Sequence, residues 1–190
     1  MKALRDNFGV QGECYASPSN RYGVEPWTFC SAYPETDGWF GSSGSFFNFW
    51  PIEGSFECNP PFSVDAVDSM FAHIKEIFSK SSGSLSFCVI MPGNHWKKFY
   101  RDTGREDLAE LIRHEEILEM GEHLYLTGNW INSAEVEEKD TWTANMDTAL
   151  IWIQNASGNA KWPVDPEKVT NVTKAFRGIH GDSDTTYTNI

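Results

Sequence analysis

Apolar residues recur along this chain at two different periods. Over residues 63–80 (SVDAVDSMFAHIKEIFSK), Val64, Val67, Phe71, Ile74 and Phe78 return every three or four positions, the spacing of one face of an α-helix. Ser63 is placed to cap this helix, and Asp65 puts a carboxylate in its first turn, where the helix dipole favours negative charge. The run LSFCVIM at 85–91 is apolar without interruption and is closed by Pro92-Gly93, which predicts a buried strand. TALIWIQN (148–155) reads as another strand. GECYA (12–16), SFFNFWP (45–51), GSFEC (54–58) and HLYLTG (123–128) predict shorter ones, and residues 105–120 read as a second helix. Strand, helix and strand, followed by further strands, place the chain in the α/β class, a sheet flanked by helices.

That arrangement directs attention to the strand ends, because ligands of an open α/β sheet sit outside the carboxyl ends of its strands. Asn59-Pro60-Pro61-Phe62 follows one predicted strand and precedes the predicted helix. Glu13-Cys14-Tyr15-Ala16-Ser17-Pro18-Ser19-Asn20 begins in a strand and breaks at proline. Both loops are therefore expected to face one cleft.

The first of these loops carries distinctive chemistry. The asparagine amide offers an oxygen acceptor and two N–H donors, the prolines fix the backbone before any ligand arrives, and the phenylalanine adds a flat apolar face. Together they suit a planar heterocycle with an exocyclic amine, stacked on Phe62 and donating to the Asn59 side chain and the Pro60 carbonyl. The adenine amino nitrogen is a poor nucleophile because its lone pair is delocalised into the ring. Two acceptors favour a geometry that frees the lone pair and stabilise the positive charge that builds as a methyl group arrives. A strand-ending turn remains the alternative reading of the string taken alone.

Composition narrows the field. A length of 190 residues fits one domain with a substantial core. At 40% hydrophobic and 14% aromatic, with eight Trp, it is not a disordered chain. We expect a domain over 1–178 and a polar, flexible tail over 179–190. No apolar run reaches bilayer length, and MKALRDNFGVQ lacks a signal-peptide core, so a nuclear or cytoplasmic, unsecreted protein without membrane contact is expected. Cys14, Cys30, Cys58 and Cys88 show no C-x-x-C spacing and read as reduced thiols in or near the core. No His/Cys/Asp cluster has metal-ligand spacing, and no metal is expected. The sequons at Asn155 and Asn171 read as chance. A net charge of −12 disfavours nonspecific binding to a polyanion. It still permits a local patch such as Lys97, Lys98, Arg101 and Arg105, either a solvated face or a phosphate-contacting rim.

Several strings taken together identify a resemblance. ECYASPSN (13–20), FCSAYPETDGWFGSSG (29–44), GSFECNPPF (54–62) and DTALIWIQNASGNAKW (147–162) resemble the catalytic domain of the phosphorylated CTD-interacting factor family, from about Glu13 to about Phe176. The resemblance implies a Rossmann-like class I methyltransferase fold, S-adenosylmethionine as cofactor, and N6-methylation of a 2′-O-methyladenosine next to the mRNA cap. By the same resemblance, Asn59, Pro60, Pro61 and Phe62 match the catalytic motif. Glu13, Ala16, Ser17, Pro18 and Asn20 correspond to a cofactor loop, and Asp37, Phe40 and Gly41 to a segment closing over the cofactor. A structural turn rich in Gly and Asp accounts equally well for any single residue of these two segments. Gln154, Asn155, Lys161 and Trp162 belong to the resembling strings without an assignable chemical role.

Beyond the strand at 85–91, His95, Trp96 and Lys97 are candidate substrate contacts, with Trp96 stacking on a nucleotide and His95 meeting a phosphate. The alternative there is a surface histidine and a half-buried tryptophan. Family members carry a WW module and a helical domain ahead of this region, and parts of that helical domain help grip the cap. The implied partners are therefore RNA, including capped mRNA, and further domains or a partner subunit supplying basic surface and cap recognition. Two other readings of function stay open. DNA adenine or a protein glutamine amide also presents a planar nitrogen nucleophile. The chain also reads as a non-catalytic, methyltransferase-like binding module that docks a partner through its aromatic surface.

Overall fold

A computed structural model describes residues 1–22, 27–102, 108–126 and 141–178. Six strands form one sheet: β1 (Gly12–Glu13), β2 (Thr28–Phe29), β3 (Gly54–Cys58), β4 (Leu85–Pro92), β5 (Ile112–Leu118) and β8 (Thr148–Gln154). Their order is β2-β1-β3-β4-β8-β5. The pairs β1–β2, β1–β3 and β3–β4 are parallel, while β8 runs antiparallel to both of its neighbours. Two further strands, β6 (Leu124–Leu126) and β7 (Thr141–Thr143), pair as an antiparallel ribbon. The helices are α1 (Lys2–Phe8), α2 (Pro34–Asp37), α3 (Val64–Lys80), α4 (Gly93–Asp102), α5 (Ala156–Lys161) and α6 (Pro166–Phe176). The chain is thus mixed α/β with a mostly parallel central sheet.

The uninterrupted apolar runs follow from burial on both faces of that sheet. Phe87, Val89 and Met91 of β4 and Ile151 and Ile153 of β8 point one way, into a cluster with Met70, Phe71, Ile74 and Ile77 of α3. Cys88, Ile90, Leu150 and Trp152, the alternate residues of the same strands, point the other way, against Leu4 and Phe8 of α1 and Val169 and Val172 of α6. Each such side chain, wholly removed from water, contributes about 1.5–3 kcal/mol before the entropic cost of ordering it. Helix α3 starts where its sequence places it, with Ser63 Oγ accepting from Ala66 N at 3.3 Å. All four cysteines are buried and unpaired. Burial raises their thiol pKa values, that of Cys30 to about 12, and keeps them protonated.

Two expected elements differ from the structure. Residues 45–51 form no strand. Gly44 enters at φ 90°, Ser45 then caps a 3₁₀ turn over Phe46–Asn48, and only Phe46 of that turn is buried. The described part of the expected helix 105–120, residues 108–120, forms no long helix; from Ile112 to Leu118 it is a strand, paired to β8 with a register shift between Ile112 and His114. The apolar spacing there satisfies a helix, but the exposed ladder of β8 decides the outcome, because strand formation depends on neighbours more than on intrinsic preference. The expected tail, 179–190, lies outside the described residues. So do Arg105 and the last two residues of the expected strand 123–128. None of the helices among the described residues is long and apolar enough to cross a membrane.

Candidate active site

Strand β1 lies between β2 and β3 in the sheet. The chain leaves β1 to form β2 on one side and then crosses to β3 on the other. At such a reversal the loops diverge and open a crevice at the carboxyl ends of the strands. Because β1, β2, β3 and β4 are parallel, the loops after all four emerge on one edge. The candidate residues 13–20, 37–41, 59–62 and 95–97 therefore share that edge of the sheet.

The elbow at 59–62 leaves a strand in which every residue is buried. Pro60 is buried and anchors the turn, while Asn59, Pro61 and Phe62 are exposed, Phe62 by 45%. No hydrogen bond among the described residues engages the Asn59 side chain, so both of its polar ends are available to a ligand. Immediately afterwards Ser63 donates its backbone N–H to the Pro61 carbonyl at 2.8 Å and α3 begins. The elbow is thus held from one side by β3 and from the other by a capped helix.

The loop after β1 is closed on itself. Asn20 Oδ1 accepts from Ser17 N at 2.7 Å and from Ser17 Oγ at 3.0 Å, a local asparagine turn around Pro18. Ala16 N donates to the Cys30 carbonyl at 2.9 Å and Cys14 N to the Glu57 carbonyl at 2.8 Å, which ties this loop to both neighbouring strands. Glu13 is turned to structural work. Its Oε2 accepts from Tyr22 N and Trp27 Nε1, each at 2.7 Å, and desolvation holds its carboxyl pKa above the ordinary value. The acid closes the excursion from residue 13 to residue 27.

After β2, Ser31 Oγ and Ser42 Oγ lie 2.7 Å apart, and Ser43 N donates to the Phe29 carbonyl at 2.8 Å. These contacts pinch residues 33–41 into a short projection containing α2 and a 3₁₀ turn, Gly38–Phe40. Asp37 Oδ1 accepts from Thr36 Oγ1 at 3.2 Å. Phe40 is 62% exposed and Gly41 sits at φ 88°, a left-handed conformation that favours glycine.

After β4, the three candidates separate. Trp96 is buried at 3% exposure, its Nε1 donating to Glu115 Oε2 at 2.7 Å and its ring packed against Phe71. It faces the core, so the structure corrects the expectation that its ring stacks on a nucleotide. Lys97 Nζ lies 3.7 Å from Asp147 Oδ2. Among the described residues, the buried His95 Nδ1 and the buried Tyr15 hydroxyl after β1 have no hydrogen-bond partner. A buried polar atom left unsatisfied costs stability unless a ligand or water meets it. Tyr15 belongs to the string at 13–20 but is not among the residues assigned to the cofactor; its unpartnered hydroxyl is what marks it.

The unassigned residues 154–162 acquire a packing role. Asn155 Oδ1 accepts from Gly158 N at 2.7 Å and Leu85 N at 3.1 Å, while its Nδ2 donates to the Gly83 carbonyl at 2.7 Å. Gln154 Nε2 donates to Ser86 Oγ and to the Trp162 carbonyl. Lys161 Nζ lies 4.8 Å from the centroid of the Trp162 ring and 3.6 Å from Glu53 Oε2. Because β8 is antiparallel, all of this lies at the edge opposite the elbow.

Among the described residues, no group of His, Cys, Asp and Glu could hold a metal ion. A family model described as the phosphorylated CTD interacting factor 1 WW domain matches residues 1–128. In this chain those residues hold the parallel strands β1–β4 and helix α3. Over 178 residues the chain is 36% identical to a mouse (Mus musculus) protein and 37% identical to a human (Homo sapiens) protein, both named mRNA (2'-O-methyladenosine-N(6)-)-methyltransferase. Each match covers 93% of this chain and 24% of the relative, so the chain spans about a quarter of the length of the curated relatives it matches. A model covering most of the chain, with relatives aligned along nearly all of it, leads to one conclusion: the chain belongs to the phosphorylated CTD-interacting factor family.

Proposed function

We propose that this domain is a Rossmann-like class I methyltransferase that uses S-adenosylmethionine to methylate the N6 amino group of adenine in RNA, at the 2′-O-methyladenosine next to the mRNA cap. The observation that carries the reading is the elbow. Asn59 is exposed and without a hydrogen-bond partner among the described residues, on a backbone fixed by two prolines, at the strand edge that also carries the loop after β1. The relatives' names supply the substrate class, and the chemistry of Asn-Pro-Pro-Phe supplies the reason it fits.

In this reading the Asn59 amide oxygen and the Pro60 carbonyl accept the two N–H groups of the adenine amine. The exposed face of Phe62 packs against the base. As positive charge builds on nitrogen, both acceptors strengthen, which stabilises the transition state more than the ground state. S-adenosylmethionine, when bound, supplies the electrophilic methyl carbon. Loop 14–20 and the projection 33–41 flank the place for it, with Ala16, Ser17, Pro18, Asn20, Asp37, Phe40 and Gly41 as the candidate contacts. The orphaned Tyr15 hydroxyl and His95 Nδ1, on the loops either side of the elbow, are polar atoms that a ligand seated on this edge would satisfy. Glu13 acts here by holding the loop closed. The acidic chain provides little basic surface, so cap recognition falls to further domains or a partner.

Titration calorimetry with S-adenosylhomocysteine tests the cofactor half. Binding to a single site is expected, and a folded sample that releases no heat removes the enzyme reading. Methylation assays then separate the substrates. Capped RNA beginning with 2′-O-methyladenosine is expected to outpace uncapped RNA, single-stranded DNA and glutamine peptides, and a preference for DNA or peptide would replace the RNA assignment.

A further inference from the structure

The projection after β2 carries aromatic surface that the proposed chemistry does not use. Trp39 is 89% exposed and Tyr33 is 71% exposed, although both stand on an ordered turn. Asp37 N donates to the Tyr33 carbonyl at 2.9 Å, Gly41 N to the Gly38 carbonyl at 3.1 Å, and Ser42 N to the Asp37 carbonyl at 3.2 Å. Trp27, Trp96 and Trp152 are each at most 6% exposed, and even the more open Trp50 and Trp142, at 44% and 40%, keep about half the exposure of Trp39. A rigid turn that holds one outward exposes a large apolar ring without any packing return.

Position and charge identify what would cover it. The projection leaves the carboxyl end of β2, which is two strands from β3 in the sheet, about 10 Å at ordinary strand spacing. That is within the reach of a nucleotide or two from a base seated at the elbow. Between Arg21 and Lys75 the chain contains no Lys or Arg, while Glu35 and Asp37 flank the aromatic turn. Ion-paired phosphate contacts therefore cannot come from this stretch, and an RNA strand crossing it is best held through its bases. Base stacking on an aromatic side chain is the means by which single strands are held without charge.

We propose that Trp39 is a stacking platform for a nucleobase of the RNA strand adjacent to the target adenine. This inference rests on the RNA-methylation reading and adds a substrate-binding residue to it.

The test compares wild type, Trp39→Ala and Trp39→Phe in the full domain. Binding of a fluorescently labelled capped RNA is followed by anisotropy in the presence of S-adenosylhomocysteine, beside calorimetry with S-adenosylhomocysteine alone. Trp39→Ala is expected to weaken RNA binding on the order of 10-fold, and Trp39→Phe to recover most of it. The ratio between variant and wild type should stay constant as salt is raised, because no counterion is released at a stacking contact. In turnover the loss should fall on KM rather than kcat. Unchanged RNA affinity overturns the platform, as does a loss of S-adenosylhomocysteine affinity in its place, which would put Trp39 on the cofactor. Should wild type bind RNA through Trp39 yet fail to bind S-adenosylhomocysteine, the platform stands and the methyl-transfer reading falls.

Discussion

Asn59 and Asn155 occupy matching places in the chain and do opposite things. Each follows a fully buried strand, β3 or β8, and each precedes a helix. Asn155 caps α5 and meets Leu85 N, Gly158 N and the Gly83 carbonyl with its amide, so both of its polar ends are engaged from within. Asn59 is exposed, and its amide meets no partner among the described residues. The difference arises from strand direction. β3 ends on the edge where the parallel strands place their loops, whereas antiparallel β8 ends on the opposite edge. Two similar local patterns are thus separated into a ligand-facing elbow and a structural clamp.

Replacing each asparagine tests that division. Asn59→Ala has the largest expected effect: kcat for RNA methylation should fall by about 10²–10³-fold, the usual consequence of removing one preorganised transition-state partner. Affinity for S-adenosylhomocysteine should stay within about twofold, and the exposed site should leave Tm unchanged. A methylation rate near wild type would end the elbow's catalytic assignment.

On the clamp side, Gly158→Ala is expected to destabilise by about 3 kcal/mol, read as a lower denaturant midpoint. Its new Cβ would stand 2.0 Å from the Leu85 carbonyl oxygen, so backbone must move. Asn155→Ala removes the cap, takes its acceptor from Leu85 N and leaves the Gly83 carbonyl with Ser157 Oγ at 3.3 Å, an expected cost of about 2 kcal/mol. Activity per folded molecule should hold in both variants. If Asn155→Ala instead abolished turnover without loss of stability, the contrast between the two asparagines would be wrong.

The smallest effect concerns the buried strand leading to the elbow. Glu57 is 3% exposed, and burial together with neighbouring Glu13 raises its pKa well above the ordinary carboxyl value. The folded state therefore holds this proton at pH values where the unfolded chain has released it. Stability contributed this way is present below the unfolded pKa and is lost as pH rises toward the folded one. Glu57→Gln keeps the shape and removes the titration. Thermal scans should show a Tm higher by roughly 3 °C at pH 8, about 1 kcal/mol, with the advantage vanishing near pH 4. A variant less stable than wild type at pH 8 would show that the charged form is favoured in the fold.

Much of this architecture was legible in the residues alone. The helix over 63–80 with its Ser63 cap, and the strands at 54–58, 85–91 and 148–154, follow from local periodicity and from apolar runs long enough to be unambiguous. The elbow was legible for a local reason too, since paired prolines constrain their own backbone wherever they stand. The expected helix over 105–120 gives way to a strand at 112–118 because the apolar spacing there suits a helix and only the open edge of β8 makes it a strand. Strand β2, two residues long, is too short to leave a periodic signal at all.

The chain by itself determined which segments bury both faces, where the backbone stiffens, and which residue types the elbow offers, because each of these is a property of neighbours in sequence. Tertiary structure alone decided which candidates face outward. It turned Trp96 into the core and Trp39 into solvent, gave Glu13 a loop to close, and filled Asn155 while leaving Asn59 open. Those outcomes depend on strand order and direction, set by contacts between residues far apart in the chain, which no local pattern records.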